Sequence, residues 1–180
     1  RQSIEDGAYI VHDGNEGICP RPVVFNFAAR WKTQTVLSQA QAIFYLPHVA
    51  ARSAQAQKYG FSVVGIAVGA EERHFHDAIS LNRLNLLHII PARAASMHAC
   101  ISDLRFKEIV SRVIQVVPKD YRLRTRLHYG SMQTCKNELL TYGIRSTMLP
   151  DNDDAIHDHD TDHGTIQRCL QYDREVLDKY

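Results

Sequence analysis

The chain has 180 residues, of which 44% are hydrophobic and 23% are charged, and its formal net charge is +1 at pH 7. This composition is typical of a folded globular protein and excludes wholesale disorder. The balanced charge excludes a global field that favours nucleic acid. The longest uninterrupted apolar stretch, 63–70, is far shorter than the about 20 residues that a membrane-spanning helix needs. At about 150 residues per domain, we expect one domain with an appendage.

The start of the sequence and its cysteines give few signals. No apolar core follows the first six residues, so we expect no signal peptide. Because the chain does not begin with Met, we expect a processed product or a fragment. The four cysteines, Cys19, Cys100, Cys135 and Cys169, form no C-x-x-C pair. This usage is ordinary for a reduced cytosolic protein, so we expect free thiols.

The first half of the chain combines short apolar runs with one long helical pattern. Residues 9–11 and 23–27 predict two strands, the second after prolines that bar an earlier ladder. Residues 33–57 carry apolar side chains at helical spacing, and Pro47 predicts a kink or a break within them. The continuous apolar run 61–68 predicts a strand buried on both faces, as in a parallel sheet covered by helices.

The second half continues to alternate helix and strand. Residues 74–88 predict a helix that Pro91 ends, and 92–101 predict a strand. The clearest amphipathic helix covers 103–117, where apolar side chains recur at i, i+3, i+4 and i+7. A short strand is predicted at 127–129. This alternation favours an α/β fold with a largely parallel sheet.

The last predicted helix of the domain starts at Met132 and closes near Gly143, a residue type that often follows a helix. We expect the domain to cover 1–150. Residues 151–163 hold six Asp, three His and no Lys or Arg, and they predict an acidic, solvated linker. Residues 164–180 predict a C-terminal amphipathic helix.

No motif identifies a catalytic, nucleotide or metal site. The chain lacks G-x-S-x-G, the P-loop and G-x-G-x-x-G. The acidic run from Asp158 lacks the Gly at position 6 and the Glu at position 12 of a calcium loop. The pair His74 and His76 falls at a predicted helix start, where side chains two residues apart diverge, which disfavours zinc. We therefore expect no metal and no cofactor.

One local charge feature is a basic cluster in the region after the amphipathic helix. Lys119, Arg122, Arg124 and Arg126 provide four positive charges against the single negative charge of Asp120. Near an anionic membrane each such residue contributes about 1 kcal/mol of attraction. Two interpretations stay open, a solvated protein face and a contact with phosphate or with anionic lipid.

Several short stretches, in chain order, resemble the CRAL-TRIO family of lipid-binding domains. Residues 21–24 are similar to its opening "GRPV" strand, 57–64 to its "Q-x-x-G-x-V-x-I" strand, and 90–98 to its "P-x-R-x-x-x-I-H" strand. Residues 126–130 are similar to its "R-I-x-x-H-G" stretch, and 139–150 to its closing "L-x-x-x-G-x-x-x-L-P". The resemblance covers roughly residues 9–150. It implies a mixed, mostly parallel sheet covered by helices, with an apolar cavity that the amphipathic helix at 103–117 closes as a gate.

The resemblance further implies a function without catalysis, namely binding and transfer of a small hydrophobic ligand such as a lipid. The implied pocket residues are Val24, Phe25, Val64, Ile66, Val68, Met97, Phe106, Ile109, Val110 and Val113. The implied headgroup or membrane contacts are Lys119, Arg122 and Arg126. The implied partners are a lipid and a transient membrane surface, and no nucleic acid. We expect a cytoplasmic protein with transient peripheral membrane association.

Two other functions stay open. The same fold without a ligand acts as a protein-interaction module through its terminal helix, and a filled core would favour that reading. Less favoured is an α/β enzyme that uses His98, His128 or Cys100. A polar cleft that gathers these residues would favour the enzyme.

Overall fold

The computed structural model describes residues 8–13, 20–31, 35–83 and 93–149. The predicted linker and C-terminal helix, at 151–180, lie outside these residues. The strands are β1 (Tyr9–His12), β2 (Val23–Phe27), β3 (Phe61–Ile66), β4 (Ala94–Ile101) and β5 (Thr125–Tyr129). They form one five-stranded sheet in the order β1-β2-β3-β4-β5. Strand β1 is antiparallel to β2, and the other neighbours are parallel. The α/β class with a mixed, mostly parallel sheet is confirmed.

The helices lie mainly in the connections between the strands. They are α1 (Val36–Ala51), α2 (Ala54–Tyr59), α3 (Glu72–Arg83), α4 (Lys107–Val116), α5 (Lys119–Arg122) and α6 (Met132–Leu140). Hydroxyl side chains begin several of them, because Thr35, Ser53 and Ser131 accept hydrogen bonds from the first free backbone N–H groups of α1, α2 and α6. A short 3-10 turn, Leu104–Phe106, leads into α4.

The two faces of the sheet carry different layers. Because parallel neighbours follow each other in chain order, right-handed crossovers place α1, α3 and α4 together on one face, which we call the first face. Val24 of β2 lies there, packed with α1. The second face carries α6, whose Met132, Cys135 and Leu139 pack in one buried cluster with Phe25.

The predicted break at Pro47 does not occur. Helix α1 continues through Pro47 and ends at Ala51. A proline removes one backbone hydrogen bond and strains the preceding turn. Here Leu46 and Val49, on either side of Pro47, are buried in the first-face core, and this packing holds the helix together. The helical stretch is interrupted only after α1, where Ser53 caps the start of α2.

Other boundaries shift by a few residues. Strand β3 ends at Ile66, before the glycine turn at Gly69, whose φ is +70°. Strand β5 begins at Thr125, two residues earlier than predicted. The predicted C-terminal part of the helix at 74–88 extends past Arg83, outside the described residues. Within the part of the chain that the structure describes, no helix has the length and apolarity to cross a bilayer.

Candidate functional site

A pocket of about 200 Å³ lies on the first face, between the sheet and helices α1, α3 and α4. Its walls are mostly apolar and come from each of these layers: Ile43, Leu46, Val63, Ala78, Met97 and Val113. For comparison, an apolar cavity of about 150 Å³ stays dry and binds benzene. The pocket therefore has the size and lining to hold a small apolar molecule or part of a longer one.

The pocket exists because small residues occupy the first face of the central strands. Gly65 has no side chain and Ala99 has only a methyl group, so little side-chain volume fills the space between the sheet and the helices at these two positions. A Cβ atom built on Gly65 meets only the carbonyl oxygen of His98, at 3.8 Å. Val63 and Met97 are only half-buried, whereas Val64, which alternates with Val63 on β3, is fully buried against the second-face layer. The helical layer thus leaves the first face incompletely covered.

A second pocket of about 120 Å³ adjoins the first. It lies toward the carboxyl ends of the parallel strands, between α3 and α4, where Phe75, Ile101 and Val110 line it. Asn26 and Trp31 line both pockets. A ligand larger than the first pocket could extend into the second by way of these two residues.

Three polar side chains, Tyr9, Asn26 and Trp31, line the larger pocket, and we call them the polar trio. Tyr9 and Asn26 face each other across the antiparallel pair β1 and β2. The rings of Tyr9 and Trp31 stack, with centroids 6.3 Å apart. His74 meets Trp31 edge-on, and its Nδ1 accepts a hydrogen bond from the backbone N–H of Glu71, which fixes the ring.

The polar trio lacks hydrogen-bond partners among the described residues. The Tyr9 hydroxyl, the Asn26 Oδ1 and the Trp31 Nε1 are all buried and unpaired there. Burial raises the pKa of Tyr9 far above its usual value, so its hydroxyl stays neutral. A buried polar group without a partner costs about 1–3 kcal/mol, so the trio favours a molecule that supplies the missing bonds.

Helix α4 covers the pockets with little of its own surface buried. Of the α4 residues, Val110 alone is buried. Ile109 and Val113 on the same side are half-buried. At the start of the helix, the ring of Phe106 packs on Phe75 of α3, with centroids 4.7 Å apart. The helix therefore rests on the pocket rather than in a dense core.

An exposed basic segment borders the larger pocket. Pro118 and Thr125 line that pocket, and the chain between them carries Lys119 and Arg122, with Arg126 following directly. All three predicted headgroup residues are exposed. Leu123 in the same segment is 68% exposed, so this edge presents positive charge and an apolar side chain together.

The structure separates the residues predicted for the pocket into groups. Those that line one of the two pockets are Val24, Ile66, Met97, Val110 and Val113. Phe106 and Ile109 pack beside them, against the buried side chains of Phe75, Ile101 and Val110. Phe25, Val64 and Val68 lie in the second-face core, away from the helices over the pocket, and Ile66 packs in that core as well although it lines the second pocket. The reason is strand alternation, which sends Val24 and Phe25 to opposite faces.

Sequence reasoning missed the polar trio and the glycine under the helices. Asn26 gives a signal, since it is the single polar residue in the apolar strand Val23–Phe27. Trp31 is the only tryptophan of the chain. Gly65 interrupts the apolar run of β3 without a turn. None of these signals says which face of the sheet the helices cover.

The second face carries a buried histidine pair. Nδ1 of His98 lies 2.9 Å from Nε2 of His128, and Nδ1 of His128 lies 2.6 Å from Oε2 of Glu138 on α6. Tyr142 packs edge-on against both imidazoles. Desolvation, then repulsion by His128 and Arg126, lowers the pKa of His98 to about 4.

The candidate enzyme residues are thus partly brought together. His98 and His128 are in contact, but each is only 3% exposed, so protein encloses the pair. Cys100 is also fully buried and packs with Cys135 of α6 in the second-face core. Among the described residues, no group of three or more His, Cys, Asp or Glu side chains could hold a metal ion.

Comparisons with known proteins leave the chain unassigned. No protein-family model matches it, and no curated protein matches it either. The fold and the site define an α/β domain with an apolar pocket between its sheet and its first-face helices. The likeness to the CRAL-TRIO family stays a prediction.

Proposed function

We propose that this protein binds a small hydrophobic ligand, such as a lipid, on the first face of its sheet and transfers it between membranes or to a partner. The observation that carries the proposal is the incompletely covered centre of the sheet. Val63 and Met97 lie on central strands and are half-buried, although helices pass over them. Apolar residues at the centre of an α/β sheet are ordinarily sealed by the helical layer.

The energetics of capture favour a mainly apolar ligand. Each buried CH₂ group contributes about 0.8 kcal/mol, so a long aliphatic chain offsets the costs of association and ordering. Such binding uses no catalytic residue. The pocket of about 200 Å³ holds only a fraction of a long chain, so a full lipid requires α4 to move outward.

Helix α4 is suited to act as the gate. Its burial depends on Val110 and on the contact of Phe106 with Phe75. Its apolar stripe faces the pockets through Val113 and Ile114. When the helix swings away, the same stripe is free to contact lipid at a membrane surface.

The basic segment supports peripheral membrane contact. Lys119, Arg122 and Arg126 are exposed at the edge where Pro118 and Thr125 line the pocket. At about 1 kcal/mol for each basic residue, these charges give reversible attraction to an anionic surface. Reversible attraction is what a transfer protein needs, because it must leave the membrane with its cargo.

Native mass spectrometry tests the proposal. The purified protein is incubated with mixed-lipid vesicles and separated from them. Its mass is then measured by electrospray ionisation under native and under denaturing conditions. We expect a discrete mass excess of several hundred daltons that denaturation removes. The matched variants are Gly65→Ala and Gly65→Val, since a Cβ on Gly65 has only an ordinary contact at 3.8 Å and larger side chains fill the pocket.

The expected result is a graded loss, with Gly65→Ala retaining part of the bound mass and Gly65→Val retaining none, while circular dichroism stays unchanged. A clean apo mass of the wild-type protein after lipid exposure would overturn the proposal. It would favour the protein-interaction module, with α4 as an ordinary helix of the domain.

A further inference from the structure

We infer that the ligand of this pocket is an uncharged, largely apolar molecule that carries a hydroxyl group, and that the polar trio holds this hydroxyl. The inference rests on the proposed function and names its ligand class. The anchoring atoms are the Tyr9 hydroxyl, the Asn26 Oδ1 and the Trp31 Nε1, which are buried without partners among the described residues and belong to residues that line the larger pocket.

The chemistry of these atoms selects a hydroxyl. The indole Nε1–H of Trp31 is a donor only, and the amide oxygen of Asn26 is an acceptor only. A ligand group that bonds to both must accept and donate, and a hydroxyl is the smallest neutral group that does so at a single atom. The Tyr9 hydroxyl can take either role, so it completes the set whichever way the ligand turns.

The lining of the pockets disfavours a charged ligand. The described residues that line them include no Lys and no Arg. A carboxylate or phosphate would lose its hydration without a counter-charge. The basic segment is no substitute, because Lys119 and Arg122 are exposed on the outer surface.

The position of the polar trio orients the ligand. Asn26 lies near the carboxyl end of β2, while Val63 and Met97 mark the part of the larger pocket nearer the amino ends of β3 and β4. The hydroxyl therefore sits at the junction of the pockets, and the apolar body extends toward Pro118 and the basic segment.

The test uses three eight-carbon probes, 1-octanol, n-octane and octanoate, with the full-length protein. Trp31 is the only tryptophan, so its fluorescence reports binding. Its indole N–H gives one cross-peak in a ¹H–¹⁵N spectrum. A wholly apolar pocket binds octane more tightly than octanol, because the hydroxyl loses hydration there. We expect the reverse order by at least tenfold, octanoate weakest, and a downfield shift of the cross-peak with octanol alone.

Two variants separate the polar contacts from the pocket itself. Asn26→Leu is expected to restore the order octane above octanol, and Tyr9→Phe to weaken octanol binding severalfold without affecting octane. Tyr59→Phe, at an exposed site on α2, serves as the matched control and should change nothing. Should Asn26→Leu fail to fold, the indole cross-peak of the wild-type protein still decides the question.

The possible failures are distinguishable. If octane binds and octanol binds more weakly, the inference about the hydroxyl is overturned while the proposed apolar site stands. If octanoate binds most tightly, the ligand class is anionic and the inference is overturned. If no probe binds, both the inference and the proposed function fall.

Discussion

Nδ1 of His98 lies 2.9 Å from Nε2 of His128, in the buried layer between the sheet and α6. Nδ1–H of His128 donates a hydrogen bond to the Glu138 carboxylate at 2.6 Å. Burial keeps His98 neutral, because its Nε2 is enclosed without a partner among the described residues and a charge there would lose its hydration.

The first prediction concerns the pH dependence of stability. Burial lowers the pKa of His98 to about 4, below its unfolded value of about 6.5. The unfolded chain therefore binds more protons between these values, so the free energy of unfolding falls as the pH falls through this window. The loss amounts to about 3 kcal/mol by pH 4. Urea unfolding from pH 4 to 7 measures it.

A pair of variants assigns this slope to His98. Groups that face it are Arg126, His128 and Tyr142, and Glu138 binds the far side of His128. His98→Gln removes the titrating ring, so we expect a flatter profile between pH 4 and 6.5. His76→Gln, at an exposed site on α3, should keep the wild-type slope. An unchanged slope in His98→Gln would show that other groups cause the acid loss.

The second prediction concerns the attachment of α6. The Glu138 carboxylate accepts a charge-assisted bond from the buried His128. The Glu138 side chain is 48% exposed, so solvent weakens the interaction. We expect Glu138→Gln to lower the free energy of unfolding by about 1 kcal/mol, measured by urea titration at pH 7. Glu108→Gln, exposed in the first turn of α4, loses only a screened interaction with the helix N-terminus and should have the smaller effect, and equal effects would contradict the role of Glu138.

The third prediction compares the local stability of two helices. Helix α4 buries Val110 alone, whereas α6 buries Met132, Cys135 and Leu139 among others. Helices with few buried contacts open at lower free energy. We expect amide hydrogen exchange to be at least tenfold faster in the middle of α4 than in the middle of α6. Equal protection of the two helices would argue against α4 as a movable gate.

The fourth prediction concerns membrane attraction. Reversing the charge at Arg122 and Arg126, by Arg122→Glu with Arg126→Glu, should weaken sedimentation with anionic vesicles more than tenfold and remove its salt dependence. The matched control is Arg73→Glu with Arg105→Glu. It makes the same charge change at exposed sites near the carboxyl ends of the strands. Unchanged vesicle binding in the first variant would exclude the basic segment as the contact.

Much of the fold follows from local patterns in the sequence. The apolar run that contains β3 predicted a strand of a parallel sheet, although its first face is only half-buried at Val63, and the spacing of Ile109, Val110 and Val113 predicted α4. Both patterns depend on neighbours along the chain. Pro47 misled the prediction because its local effect on a helix is outweighed here by the buried contacts of Leu46 and Val49, which come from the sheet.

The candidate site likewise combines features that the sequence predicts with features that depend on the tertiary structure. The sequence determined that the chain forms an α/β sheet and that the α4 segment is amphipathic, because helix and strand periods are local properties. Only the tertiary structure decided that Val24, and not Phe25, faces the pocket, and that Tyr9, Asn26 and Trp31 line the same pocket. The cause is that strand register and the side chosen by each crossover set these distances. Strand register and crossover side both depend on residues that are far apart in the sequence, so no single stretch predicts them.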